Sequence, residues 1–132
     1  MKRIVLMVLR NLFFVPYGWI KLCYYASHVD KYTMEQRYAL LKLIDLRANR
    51  GGRIRIETHG VENLPKENGF IFYPNHQGLY DVLAIIEACP RPFSVVMKRE
   101  VENIPFLKQV FACMKAYAID RDDVKQSMKV II

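Results

Sequence analysis

At Gly51-Gly52 the hydrophobic pattern of this 132-residue chain changes its period. Before that point apolar residues recur at helical spacing; after it they alternate or fall in short runs between breakers. Residues 31–50 place Tyr38, Leu41, Ile44 and Leu46 among charged residues as a helical stripe, which Gly51-Gly52 ends. Residues 53–57, Arg-Ile-Arg-Ile-Glu, alternate strictly and predict a half-buried strand. A loop rich in Pro, Asn and Gly follows at 63–69, then an apolar strand at 70–73. Residues 79–89 predict a helix with Leu79, Val82, Leu83, Ile86 and Cys89 on one face, closed by Pro90 and Pro92. A strand at 93–97, a helix at 105–114 with Phe106, Val110 and Phe111 inward, and a strand at 116–119 come next. Asp122 or Asp123 then caps a last helix running towards Ile132. Strands alternating with helices at this spacing imply an α/β fold: N-terminal amphipathic helices, then a mostly parallel β-sheet flanked by helices and joined by right-handed crossovers.

The length suits one modest domain. The net charge of +7, from 20 Lys+Arg against 13 Asp+Glu, points to an anionic partner: nucleic acid, a phospholipid surface or a phosphorylated substrate. Residues 1–29 hold Lys2, Arg3, Arg10 and Lys21 and no acid, among many apolar and aromatic residues including Trp19, Tyr24 and Tyr25. Arg10-Asn11 and then Pro16 and Gly18 interrupt the apolar runs before they reach the roughly 20 residues of a membrane span. The segment reads as helices lying in the membrane interface, bent or broken at Pro16, with basic groups towards anionic headgroups. Its bland alternative is a soluble core helix. No cleavage site of small residues marks a signal peptide. Cys23, Cys89 and Cys113 are widely spaced, which predicts reduced residues, Cys89 and Cys113 buried, in a reducing compartment.

In open parallel sheets ligands sit beyond the carboxyl ends of the strands. His76 follows the strand at 70–73, Lys98 the next, and Asp120-Arg121 the third. These polar residues are therefore expected on one edge. His76 and Asp81 lie five apart; on one regular helix they would point about 140° from each other, but across a loop that becomes a helix they can meet. Gly78 permits a sharp turn between them. Asp81 in the first helical turn suits the helix dipole, and its carboxylate can hold one ring nitrogen of His76 while the other takes a proton. This is the base-and-orienter half of a triad, with the nucleophile left to the substrate's alcohol. The bland reading of the pair is a solvated loop histidine and a helix-start aspartate; that of Lys98, Arg99 and Arg121 is surface charge matched to Glu100 or Asp120. As phosphate ligands, Arg would grip bidentately and Lys act as a point charge. His28 and His59 lie outside any ligand spacing, so no metal is expected.

The stretch 75–81, Asn-His-Gln-Gly-Leu-Tyr-Asp, resembles the N-H-x-x-x-x-D block of the glycerolipid acyltransferases. VMKREVENIPF and then AYAIDR resemble the family's second block, a Lys after a strand followed about twenty residues later by Ile-Asp-Arg. The pattern is most similar to bacterial 1-acyl-sn-glycerol-3-phosphate acyltransferases, over residues 53–121 and more loosely over the basic, apolar N-terminus. The resemblance implies that His76 deprotonates the free hydroxyl of 1-acyl-glycerol-3-phosphate and Asp81 orients it. Lys98 and Arg121 would bind the glycerol phosphate, and Asn75 and Gly78 would shape the loop. The acyl donor would be acyl-CoA or acyl-carrier protein and the product phosphatidic acid, with no metal and no other cofactor. It implies work at the cytoplasmic face of the cell membrane, held peripherally or monotopically. Relatives continue into a Glu-Gly-Thr-Arg block and a Val-Pro strand, and position 108 is Lys where they carry Gly. The expected organisation is therefore a membrane-associating helical segment at 1–50 and a partial acyltransferase α/β domain at 51–132, truncated at its C-terminus. Two rivals stand beside it: a non-catalytic membrane-binding or lipid-carrying module, and an acyltransferase for another glycerolipid acceptor. A nucleic-acid binder rests on net charge alone, without any recognisable motif.

Overall fold

The computed structural model describes residues 2–75, 78 and 80–131, excepting the side chains of Val124, Val130 and Ile131. Helices dominate: α1 (Lys2–Arg10), α2 (Phe14–Ser27), α3 (Met34–Gly51), α4 (Tyr80–Ala88), α5 (Leu107–Met114) and α6 (Val124–Ile131). Between them lie β1 (Val96–Lys98) and β2 (Tyr117–Ile119), paired in parallel with Val96 opposite Tyr117 and Lys98 opposite Ile119. The α/β architecture with a partial parallel sheet is thus present.

The N-terminal helical stretch does bend, but not at Pro16. The chain turns by 91° between α1 and α2, at residues 11–13. Pro16 lies inside the first turn of α2, where a missing N–H removes no helical hydrogen bond. The bend is fixed by Asn11, whose carbonyl accepts from the N–H of Phe14 (2.7 Å) and Val15 (2.8 Å). Its side-chain amide donates to Met7 O (2.8 Å) and to Arg47 O on α3 (3.0 Å). A Cβ on Gly51 would collide with that Asn11 amide and the Met7 main chain, so glycine there both ends α3 and admits α1.

Thr33 starts α3 with a capping box: its hydroxyl accepts from Gln36 N–H (3.3 Å) and Gln36 Oε1 accepts from Thr33 N–H (3.0 Å). The core gathers Leu22 from α2, Tyr38 and Leu41 from α3, Ile86 from α4, and Val110, Cys113 and Met114 from α5. Cys89 and Cys113 are buried as expected, and burial pushes the Cys113 thiol up to about 11. Leu46, expected inward, is exposed, and Leu40 is buried instead. Phe106 also departs from expectation: α5 begins at Leu107 rather than at 105, and Phe106 stays outside it at φ 73°, exposed.

Two of the four expected strands form no ladder. Residues 53–57 keep the alternation read from the sequence, and the apolar run 70–73 alternates in burial too, with Ile54, Ile56, Phe70 and Phe72 half-buried between exposed neighbours. Alternation reports which face is covered; a strand also needs an edge to pair with, and among the described residues the sheet holds β1 and β2 alone. Segment 70–73 is held by rings and by a cation. Phe70 meets Phe72, Phe72 meets Phe93, and Phe93 meets Tyr38, each near edge-to-face at 5.0–6.1 Å. The Arg91 guanidinium covers Phe70 at 5.3 Å and donates to Lys66 O and Pro65 O. Among the described residues no single helix is long and apolar enough to cross a membrane, although α1 and α2 together reach that composition as a bent pair.

Candidate active site

Parallel pairing points the carboxyl ends of β1 and β2 the same way. Lys98 ends β1 opposite Ile119, and Asp120-Arg121 follow Ile119 directly. Two of the three polar positions expected on one sheet edge therefore share it, both exposed. Arg99, next to Lys98, makes an ion pair with Asp120 (Nη1 to Oδ2, 3.4 Å), one of the surface pairings the sequence allowed. Among the described residues neither Lys98 nor Arg121 is ion-paired, so this pair neutralises its neighbours' flank and leaves two cations to face outward.

The turn that carries Arg121 is fastened to α6. Asp120 N–H donates to Gln126 Oε1 (2.9 Å), Gln126 Nε2 donates to Ala118 O (3.0 Å), and Ser127 Oγ donates to Asp120 O (2.7 Å). Asp123 caps the helix by accepting from Gln126 N–H (3.0 Å). Asp120 Oδ1 accepts from Asp122 N–H (3.1 Å), closing an Asx turn. Gln126 and Ser127 escaped the sequence reading. Their polar spacing looks like that of any exposed helix, and only their contacts with the strand end reveal the task.

Asp81 lies in the first turn of α4, as the dipole argument requires. Its Oδ2 accepts from Gly78 N–H (2.9 Å), and its own N–H donates to Gly78 O (3.1 Å). This is half a capping box with glycine at the cap. A Cβ on Gly78 would meet nothing within 4 Å among the described residues. Asn75 is exposed in the irregular segment leading into the loop. His76 lies outside the described residues, as does Leu79. Among the described residues no cluster of His, Cys, Asp or Glu has the makings of a metal site.

Behind α4, Asn49 links α3 to both ends of that helix. Its Oδ1 accepts from the Tyr80 hydroxyl, and its Nδ2 donates to Glu87 Oε2 (2.5 Å) and to Asp45 Oδ1 (3.4 Å). Asp45 is 3% exposed; burial and the Glu87 carboxylate raise it to about 7, against the pull of Lys42.

A family model described as Acyltransferase matches residues 55–131, which hold every candidate site residue. The match covers more than half of the chain, and the chain belongs to the acyltransferase family. A 1-acyl-sn-glycerol-3-phosphate acyltransferase of Pseudomonas aeruginosa is 34% identical over 76 residues, covering 58% of this chain and 29% of that protein. One of Borreliella burgdorferi, with the same name, is 30% identical over 74 residues, covering 56% of this chain and 30% of that protein. The matched part thus spans about three-tenths of the length of these curated relatives. No solved structure matches the chain.

Proposed function

We propose that this chain carries the base and part of the acceptor site of an acyltransferase that acylates 1-acyl-glycerol-3-phosphate. His76 takes the proton of the free glycerol hydroxyl, and Asp81 holds the imidazole in the required tautomer. The oxygen attacks the thioester carbonyl of acyl-CoA or acyl-carrier protein; the C–O bond forms, the C–S bond breaks, and the proton passes from His76 to the departing sulfur. The products are phosphatidic acid and a free thiol. Lys98 and Arg121 hold the phosphate, and Asn75 and Gly78 shape the loop. The observation that carries the reading is the parallel register that brings two unpaired cations to the sheet edge. It is supported by the two relatives' names and by the Asp81–Gly78 contact at the start of α4.

The enzyme works from the cytoplasmic face of the membrane, with α1 and α2 lying on the lipid. Ile4, Val5, Leu9, Leu12, Phe13 and Ile20 are exposed there, beside cations and without a single acid.

The test is thiol release from acyl-CoA in the presence of 1-acyl-glycerol-3-phosphate, in the full-length protein. His76→Ala is expected to abolish release, whereas Arg121→Ala raises the acceptor KM about tenfold with a smaller change in kcat. Undiminished turnover in the His76 variant refutes the mechanism. An unmoved acceptor KM removes Arg121 from the phosphate site.

A further inference from the structure

We infer that Asn49, through Tyr80, is a positioning residue for Asp81; the inference rests on the His76–Asp81 reading above. Tyr38, Lys42, Asp45 and Asn49 follow one another on α3 at intervals of four, three and four residues, which is one helical face. Tyr38, Lys42 and Asn49 engage α4 or its end, and Asp45 accepts from Asn49. The Tyr38 hydroxyl donates to Ile86 O (3.2 Å) and Cys89 O (3.3 Å), and Lys42 Nζ donates to Cys89 O (3.0 Å). These bonds satisfy carbonyls that the last turn of a helix leaves open. At the other end Asn49 receives the Tyr80 hydroxyl and also reaches Glu87.

Tyr80 and Glu87 are seven residues apart and share a face of α4 about 10 Å along its axis. One buried amide that touches both fixes the rotation of α4 as well as its height. The orientation of that amide is dictated by charge. Both of its donor contacts run to carboxyl groups, Asp45 and Glu87, so its oxygen must face the Tyr80 hydroxyl. Tyr80 directly precedes Asp81, which holds Gly78 N–H. The chain of contacts therefore runs from the middle of the fold to the turn that Asp81 closes.

A buried polar network of this kind contributes little net stability, because apolar side chains of equal volume fill the same space without the desolvation cost. What it contributes is a single register. A helix held only by Val82, Leu83 and Ile86 would slide and roll by fractions of an ångström, and displacements of about 1 Å at a reacting group cost up to about a hundredfold in rate.

The experiment compares Tyr80→Phe, Asn49→Leu, the double variant and His76→Ala in the full-length protein. It measures kcat, both substrate KM values and the melting temperature. Tyr80→Phe and Asn49→Leu are each expected to lower kcat about tenfold and leave both KM values within about twofold. The double variant should fall no further than the worse single one, since both remove the same contact. Undiminished kcat in Tyr80→Phe overturns the inference, as do two losses that multiply in the double variant. If Asn49→Leu does not fold, Tyr80→Phe decides alone, because it removes one oxygen and keeps the ring. His76→Ala separates the two levels. If it is inactive while Tyr80→Phe keeps full kcat, only the positioning role fails; if it is fully active, the His-Asp mechanism fails and takes this inference with it.

Discussion

The α1–α2 elbow and the α3–α4 seam invert the usual placement of residues. The elbow puts apolar side chains into solvent: Phe13 is 95% exposed, with Leu12, Val15 and Tyr17 open beside it. The seam does the reverse and buries Asp45 and Asn49 to 3% exposure. At the elbow an open depression of about 390 Å³ is lined by Arg10, Asn11, Phe13, Phe14, Tyr17 and Arg47, with the Arg47 guanidinium over the Phe14 ring at 4.9 Å. At the seam Lys42 and Asn49 are committed to partners on α4 or at its end, and Asp45 Oδ1 accepts from Asn49 on its own helix. Residue type therefore does not tell which region stabilises the fold. Apolar surface left in water contributes nothing to folding and is available to a lipid phase, whereas buried polar groups fix a geometry.

The largest effect expected from this contrast falls within a single helix. Leu22 and Ile20 both belong to α2, but Leu22 is fully buried against α3, α4 and α5, and Ile20 is 69% exposed. Leu22→Ala should cost about 3 kcal/mol, the transfer term plus the cavity, and Ile20→Ala less than about 0.5 kcal/mol. Urea denaturation of the two variants checks it. Equal losses would mean that the outer face of α2 is covered in the free protein, and the contrast would collapse.

The next effect tests the seam through its pH dependence. Asp45 titrates near 7 when folded, well above an ordinary carboxyl, because burial and Glu87 disfavour its charge. The folded state then binds more protons than the unfolded one between about pH 4 and 7. Stability attributable to this group must therefore fall as pH rises through that window. Asp45→Asn keeps an acceptor for Asn49 and abolishes the titration. It is expected to raise stability by on the order of 2 kcal/mol at pH 8 and to change it little at pH 4. Thermal melts at the two pH values are the measurement; a gain equal at both would show that charge at position 45 is not what strains the seam.

The sequence spoke unevenly about these regions. The periodicity at 79–89 led directly to α4, and the strand at 116–119 to β2, because burial on one face of a local element leaves a local imprint. The shared edge of Lys98 and Arg121 was legible for the same reason, since alternating strands and helices force parallel order. Pairing was not legible at 53–57 or 70–73: a ladder needs a partner strand, and neither an alternation nor an apolar run names one. Nor did the bend follow from Pro16, because Asn11 fixes it through a bond to Arg47 that is 36 residues away. The seam was the least visible part. Lys42, Asp45 and Asn49 have the spacing of a solvated helix face, and only the packing of α4 against it makes Asp45 and Asn49 interior. Of the candidate site, the cations and Asp81 are placed, while His76 lies outside the described residues.

The smallest effect concerns the elbow. Phe13 contributes no burial to the fold, so Phe13→Ser should leave the melting temperature unchanged. If the elbow meets lipid, the ring enters the interface alongside Leu12, and Arg10 stands near the headgroups. Loss of one such ring should weaken partition onto vesicles containing anionic phospholipid by about 1 kcal/mol, roughly fivefold. Sedimentation with vesicles of zwitterionic and of mixed anionic composition reads this directly. Raising salt should weaken both proteins on the anionic vesicles through screening of the basic groups, and should leave the ratio between them unchanged, because the ring's share is not electrostatic. A Phe13 variant that partitions like the parent would return the exposed apolar face of α1 and α2 to some other partner. A variant that loses stability as well would show that the elbow, like the seam, belongs to the core.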